Sequence, residues 1–339
     1  MDISEIGKFG LISRLASDIK ITQPSTLKGI GDDAAILRYG DTALAITNDT
    51  LIEGINFDLT YVPLQHLGYK AAIVGFSDIY AMNAMPRQLL VSIAISAKFS
   101  VEAIEKLYQG IKLACERHNV DLVGGDTVPS VTGLAITVTA IGEAPHEKIT
   151  YRNKAQKGDL ICVTGNLGAT YMGLQILERE KKLFIDDPSI QPKLDNYSYV
   201  VGRQLKPEAR RDIIDFFESA SITPTSMIDV SDGLSADLLQ ICSASGVGCE
   251  IHHHKIPIAD ETVTVAEELY LEPIVVALNG GEDYELLFTI SIKDINKLTG
   301  NEKISIIGYI TEQEKGCELV TETGTRISIK NLKIQNSNS

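Results

Sequence analysis

Apolar residues recur along this chain with two periods, one near 3.6 and one of 2, and the pattern switches between them many times. Ile6, Phe9, Ile12 and Leu15 keep helical spacing and predict a short amphipathic helix over residues 1–20. Residues 42–46 predict a strand that runs into Thr47-Asn48-Asp49. Residues 66–85 predict a helix. Residues 101–118 predict another, with Val101, Ile104, Leu107, Ile111 and Ala114 on one face. Two apolar strands, 120–123 and 134–141, flank a glycine-rich corner. Further on come a strand over 160–164, a tight loop over 165–168 and a helix over 169–180. Residues 207–218 predict a helix opened by proline, which the first turn accepts, and 234–244 predict one more. Residues 274–278 and 286–290 read as strands around a Gly-Gly corner, and the polar tail 335–339 reads as frayed.

Strands and helices mix throughout, so the class is α/β or α+β. The polar, turn-rich stretch 145–158 divides the pattern in two. The expected domains are 1–145 and 146–339, an ordinary partition for 339 residues.

Composition narrows the function. The formal net charge is −14, from 45 acids against 31 Lys and Arg. A nucleic-acid binder needs a basic face to displace counterions, and no basic run occurs. No apolar run is long enough to span a bilayer, and the N-terminus lacks a signal-peptide pattern. Five cysteines without a CxxC fit reduced, buried thiols. A cytoplasmic, soluble protein without nucleic-acid or membrane partners is expected.

The acids are placed unusually. Neither a P-loop nor a dinucleotide fingerprint in its proper context is present. Instead an aspartate recurs beside glycines or small residues: Asp32 and Asp33 in GIGDDA, Asp49 in ITNDT, Asp78 in GFSDIYAM, Asp126 in VGGDT, Asp229 and Asp232 in IDVSDGL, and Glu282 and Asp283 in NGGEDYEL. Any one of these is adequately explained as a turn. Asp78 is not. Leu67, Ala71, Val74, Asp78 and Met82 step by four, three, four and four, which sets a carboxylate on an apolar helix face. A buried carboxylate needs a partner. A core Lys or Arg would serve, and so would a metal; the other aspartates favour the metal. Mg²⁺ takes hard oxygen ligands together with substrate phosphates, and phosphoryl transfer needs mainly charge neutralisation and positioning. His252-His253-His254 is a weaker metal candidate, because neighbours on a strand face opposite ways. Arg152 reads first as a surface arginine and Ser231 as part of a helix cap.

Taken in order, GIGDDAA, TNDTLIEG, SDIYAMNAMP, LVGGDT, VTGNLGATYMGL, IDVSDGL and NGGEDYELLF resemble the thiamine-monophosphate kinase family, over most of the chain. That family is a branch of the aminoimidazole-ribonucleotide-synthetase-like fold group. The resemblance implies two α/β domains, with N-terminal domains pairing into a barrel shared by a homodimer. It implies Mg²⁺-dependent transfer of the ATP γ-phosphoryl to thiamine monophosphate, giving thiamine diphosphate and ADP. By carry-over, Asp33, Thr47, Asn48, Asp49, Asp78, Asp126, Asp229 and Asp232 match metal positions. Tyr108, Gly125, Asp126, Arg152 and Ser231 match ATP contacts, and Asn56 and Glu282 match substrate contacts. The transfer would be organised by Asp49, Asp78, Asp126 and Asp232 around several Mg²⁺ ions, with no covalent intermediate.

Two sibling activities are disfavoured. The selenophosphate branch carries a reactive Cys near its N-terminus, whereas the first here is Cys115; the hydrogenase-maturation branch ends in Cys, whereas this chain ends in Ser339. The chain departs from the family pattern at Lys8, usually Glu, at Asn56, usually His, and at Gly75-Phe76, usually Asn-Leu. It also lacks an aromatic near the C-terminus. These departures gather on the acceptor side. They keep open a kinase of the same fold with another small phosphorylated acceptor, or a catalytically weak nucleotide-binding paralogue.

Overall fold

The computed structural model describes residues 3–332, apart from the side chains of Ile3, Ser4 and Phe9. The expected fraying of 335–339 lies outside the described residues. The first half contains α1 (Ile3–Ala16), β1 (Thr26–Lys28), β2 (Ala35–Tyr39), β3 (Thr42–Ile52), α2 (Leu64–Ala81), β4 (Met85–Ile95), α3 (Val101–His118), β5 (Asp121–Pro129) and β6 (Ala135–Pro145). Its strands form one sheet in the order β1-β2-β3-β6-β4-β5. Only the β4–β5 pair is parallel.

The second half contains β7 (Leu160–Thr164), α4 (Ala169–Asp186), α5 (Ser198–Leu205), α6 (Arg211–Ser219), β8 (Ser226–Asp229), α7 (Leu234–Ser245), β9 (Gly248–His252), α8 (Asp260–Glu268), α9 (Pro273–Asn279), β10 (Leu286–Ile290), β11 (Ile304–Thr311), β12 (Cys317–Val320) and β13 (Arg326–Ser328). Its sheet runs β13-β12-β9-β11-β7-β10-β8, and only β12–β9 is parallel.

Helix α2 is the hinge pin of the molecule. It packs on β3, β4 and β6 of the first sheet and also on β8 of the second. Leu67, Ile73, Phe76 and Ile79 are fully buried, each contributing about 1.5–3 kcal/mol of apolar burial. Its crossing with α3 is close: a Cβ at Gly68 would stand 1.9 Å from Leu107 O, and one at Gly110 would stand 1.9 Å from Gln65 O. The same economy of space explains Gly75, where a Cβ would already meet Ala140 Cβ at 3.2 Å. An asparagine there would force α2 off β6.

Several predicted elements change. The expected helix 66–85 ends at Ala81, because Asn83 turns left-handed (φ 56°) and donates from Nδ2 to Lys148 O at 2.9 Å. Pro86 follows, and the residues assigned to the helix end begin β4 instead. The expected strand 42–46 runs on to Ile52, so Thr47-Asn48-Asp49 lies mid-strand and not at a corner. The glycine-rich corner of 124–126 is likewise extended, inside β5. The helix expected from Pro207 starts at Arg211, after Arg210 has turned to reach Glu285 at 2.7 Å. Residues 274–278 are not a strand but the middle of α9, with Pro273 in its first turn and Gly280 just past its end. On α3, Leu107, Ile111 and Ala114 are fully buried, but Val101 is 72% exposed and outside the packed stripe.

The first sheet is covered on one face only. Residues of β3 alternate: Ala43, Ala45 and Thr47 are buried toward α2, whereas Leu44 and Ile46 on the other face are half-buried. Leu90 and Ile141 join that second face. Within one chain the sheet is open, with β1 and β5 at its edges.

Candidate active site

Four separate elements bring acids to one cleft of about 740 Å³. The turn before β2 supplies Asp32 and Asp33. The α2-facing side of β3 supplies Thr47 and Asp49, because strand alternation puts both on the side of Ala45. Helix α2 supplies Asp78, and the end of β8 supplies Asp229. Carboxylate oxygens of Asp33, Asp78 and Asp229 all lie within 4.8 Å of one another.

Asp78 does not sit within the apolar core as the helical spacing implied. Between Leu67 and Ala84 every residue of this segment is buried except Val74 and Asp78, one turn apart. Of the two, Asp78 lines the cleft. Thr47 Oγ1 donates to Asp78 Oδ2, and the Asp49 carboxyl is an electrostatic neighbour of Asp78. Ser77, next along α2, donates from Oγ to Asp229 Oδ2 at 2.6 Å. One turn of helix therefore holds acids from both halves of the chain.

This crowding is electrostatically costly. Burial, then the neighbouring Asp49, Asp229 and Asp33, pushes the Asp78 carboxyl well above its usual range. Burial and Asp33 raise Asp229 to about 7, and burial and Asp33 raise Asp32 to about 6. Burial also raises Asp33 and Asp49. Among the described residues one guanidinium answers these charges directly: Arg152 grips Asp33 through Nε, at 3.1 Å, and Nη2, and its backbone N–H donates to Asp32 Oδ1 at 3.1 Å. Asp49 Oδ2 and Asp229 Oδ1 are buried and accept no hydrogen bond from the described residues, whereas Asp32 Oδ2 faces Lys28 Nζ at 3.5 Å. Buried oxygens are normally satisfied. An all-oxygen donor set with orphaned carboxylate atoms fits a hard divalent cation such as Mg²⁺.

Beyond β8 the chain turns through Ser231-Asp232-Gly233. Asp237, in the first turn of α7, accepts from the N–H groups of Ser231, Asp232 and Gly233 at 3.0–3.2 Å. Sequence reasoning passed over Asp237, although an acid in the first turn of a predicted helix is a recognised signal. Asp232 is paired with Lys8 of α1 at 2.9 Å. Lys8 is thus a departure from the family pattern that touches an expected metal position.

A second cavity, about 550 Å³, adjoins the first and is bordered by Asn56, Asp58, Tyr61, Tyr171, Lys181 and Glu282. Asn56 Oδ1 accepts from Ile52 N–H at 3.0 Å and closes the turn after β3. Glu282, held left-handed (φ 55°), receives a 2.8 Å ion pair from Lys70, whose side chain is only 4% exposed. Lys70 lies on α2 and was also missed, since a lysine within a predicted helix carries no signal by itself.

Other expected residues stand apart. Asn48 borders the acidic cleft, but its amide is turned to the opposite face of the sheet, where Nδ2 donates to Thr139 Oγ1 at 2.7 Å. Asp126 and Gly125 lie on the exposed edge strand β5. Register carries Asp126 through Ser92 and Thr137 to Thr50, three strand spacings or on the order of 14 Å of sheet. Tyr108, on α3, lines a different hollow together with Phe99 and Ile104. The three histidines 252–254 are remote from the cleft; His252 Nε2 faces Glu250 at 3.6 Å.

Comparison with known proteins gives a consistent picture. Residues 31–144 match the profile of the AIR synthase related protein N-terminal domain, and residues 156–319 match that of its C-terminal domain. The chain is 36% identical to the thiamine-monophosphate kinase of Aquifex aeolicus over 289 residues, 85% of this chain and 87% of the other. It is 33% identical to that of Bacillus subtilis over 297 residues, covering 85% and 86%. A solved structure of AaThiL complexed with AMPPCP and TMP superposes with a TM-score of 0.83 at 30% identity, covering 96% of both chains. The hydrogenase maturation protein HypE in complex with ATP shares the fold alone, with a TM-score of 0.69 at 19% identity and coverage of 95% and 94%. With its two domains matched in order and its relatives aligned nearly end to end, this chain belongs to the thiamine-monophosphate kinase family.

Proposed function

We propose that the chain transfers the γ-phosphoryl of ATP to thiamine monophosphate, giving thiamine diphosphate and ADP. The observation that carries this reading is the junction of the two cavities. Glu282 N–H donates to Ser231 O at 2.8 Å, and Tyr284 N–H donates to Val230 O at 3.0 Å, so the loop bordering the acceptor cavity is bonded to the loop bordering the acidic cleft. Donor and acceptor phosphates can then meet without a covalent intermediate.

Mg²⁺ held by Asp33, Asp49, Asp78 and Asp229, with Asp232 at the rim, would neutralise the phosphate charge. Arg152 fixes Asp33, Thr47 fixes Asp78 and Ser77 fixes Asp229, so the acids are oriented before any ligand arrives. Lys70 aims Glu282. Tyr61 and Tyr171 offer ring faces and Glu282 a negative charge to a flat cationic acceptor. Their presence supplies aromatic surface that the C-terminal sequence lacks.

Tyr108, Gly125 and Asp126 act in this reading from a second copy of the chain. The uncovered face of the first sheet, with Leu44, Ile46, Leu90 and Ile141, and the exposed edge β5 support a dimer in which two such sheets close on each other. The residues before 146 would form the ATP-binding and dimerising domain, and those after it the other domain. We place the enzyme in the cytoplasm, where its five free cysteines stay reduced; among the described residues no helix is long and apolar enough to cross a membrane.

The test is direct. Purified protein with Mg²⁺, ATP and thiamine monophosphate should form thiamine diphosphate and ADP in equal amounts. ATP binding without product at saturating thiamine monophosphate would overturn the assignment. Asn56 favours one alternative, a different small phosphorylated acceptor, which ADP release across a set of such phosphates would identify.

A further inference from the structure

Three thiols meet at the edge of the second sheet, away from the acidic cleft. Cys249 on β9 and Cys317 on β12 are direct neighbours in the parallel pair. Cys242 reaches them from α7. Their three Sγ atoms lie within 4.8 Å of one another. Cys242 and Cys249 are 2% and 1% exposed, and Cys317 is half-buried. All three are free thiols. Strands β11, β7 and β10 separate this group from β8 and Asp229.

A buried cysteine commonly packs as a small hydrophobe, and Cys115 and Cys162 do so in the main core. Three sulfurs from three elements aimed at one centre are a different arrangement. Thiolates bound 2.3 Å from a shared ion lie about 4 Å apart, which this cluster accommodates. Among the described residues no His, Asp or Glu joins the group. Its surroundings are apolar, with Ile251, Ile310, Leu319 and Ile329 in the same cluster. A pure sulfur donor set selects soft ions. Zinc would ask for a fourth ligand, and the apolar wall offers none. A soft monovalent ion asks for no ligand beyond sulfur.

Access is also present, because Cys317 is half-buried and opens toward solvent.

We propose that Cys242, Cys249 and Cys317 form a three-coordinate thiolate site for a soft monovalent metal ion, with Cu⁺ as the best chemical match. Binding exchanges S–H bonds for Cu–S bonds and releases up to three protons, with no change of oxidation state. The acidic cleft, built of hard oxygens, does not compete for the same ion.

The experiment titrates fully reduced, full-length protein under anaerobic conditions with Cu⁺ held by a colour-forming chelator. The wild type should withdraw one equivalent per chain. Mass spectrometry after alkylation of the folded protein should show the half-buried Cys317 labelled without Cu⁺ and protected by it, and Cys115 and Cys162 unchanged. Cys317→Ser, at the half-buried member, should keep its melting temperature and bind Cu⁺ at least tenfold more weakly. Absence of uptake by the wild type, or uptake unchanged in Cys317→Ser, would each overturn the site. Should Cys317→Ser lower the melting temperature, the wild-type protection pattern decides by itself.

Discussion

Glu282 and Ser231 are joined by a main-chain hydrogen bond of 2.8 Å, and Gly281 makes this possible: a Cβ there would stand 2.8 Å from Ser231 O. The loops NGGEDYEL and IDVSDGL are 50 residues apart in sequence, to judge from Asp232 and Glu282, yet they form one ledge between two cavities. Loop positions set by such a ledge control where acceptor and donor phosphates meet. Its acceptor end is anchored to α2 through Lys70.

Lys70→Met should therefore act on the acceptor. The methionine keeps the buried stem packed and removes the ammonium from Glu282. We expect kcat/KM for thiamine monophosphate to fall about tenfold, equivalent to about 1.4 kcal/mol, while ATP affinity stays within twofold. Steady-state kinetics with each substrate varied in turn check this. An equal loss toward both substrates would show that Lys70 only supports the fold.

Asp78→Asn separates chemistry from stability. The amide still accepts from Thr47, so α2 and β3 stay in place. Loss of the charge should lower kcat by on the order of 100-fold or more. The same change removes repulsion among Asp49, Asp229 and Asp33, so the metal-free protein should melt a few degrees higher at pH 8. Thermal unfolding in chelator and product formation in Mg²⁺ measure the two effects. Activity unchanged by the substitution would dismiss the acidic cleft as the donor site.

These two residues also mark what was legible in the sequence. Asp78 was conspicuous because a carboxylate at helical spacing among Leu67, Ala71 and Val74 conflicts with burial. The spacing could not tell that Asp78 lines a cleft, since that depends on β8 arriving from the other half of the chain. Lys70 and Asp237 gave no such conflict, and their roles exist only through Glu282 and the 231–233 loop. Strand lengths were underread for a related reason. Thr47-Asn48-Asp49 and Gly124-Gly125-Asp126 look like turns by composition, but pairing with β6 and β4 holds them extended. In α9 a short apolar run reads as a strand by composition, whereas Pro273 and Gly280 at its ends argue for helix.

The stability of the metal-free protein should fall as pH rises through the acid cluster. Asp229 titrates at about 7 and Asp32 at about 6 in the fold, both above the unfolded value of 3.8. The folded state thus holds more protons between about pH 4 and 7, and stability declines with pH across that window. Mg²⁺ binds the deprotonated acids, so its stabilising effect should run the opposite way. At a concentration about 100 times its Kd the gain is about 2.7 kcal/mol, largest at pH 8 and nearly absent at pH 5. Melting curves with and without Mg²⁺ across this range test the sign; a Mg²⁺ effect that grows toward low pH contradicts it.

Asn56→His addresses the acceptor. When protonated, an imidazole gives up the hydrogen bond from Ile52 N–H that Asn56 accepts, and can donate to a phosphate oxygen. We expect KM for thiamine monophosphate to drop severalfold at pH 6, where the ring carries charge, and less at pH 8. A KM that does not respond to pH would mean that residue 56 does not touch the substrate phosphate.

The proposed sharing of a site between two copies can be tested by mixing two inactive variants. Asp78 lies at the acid cluster of one chain, whereas Asp126 lies three strands away on an exposed edge. If Asp126 serves the partner's cleft, Asp78→Asn and Asp126→Asn disable a site from different chains. A mixed dimer then carries both substitutions in one site and leaves the other intact. Random reassociation makes half the dimers mixed, each with one working site of two, so about a quarter of wild-type activity should return for a C2 dimer. Unfolding and refolding the two variants together, with each refolded alone as control, gives the measurement. If both residues act within one chain, every site in the mixture retains one substitution and no activity returns.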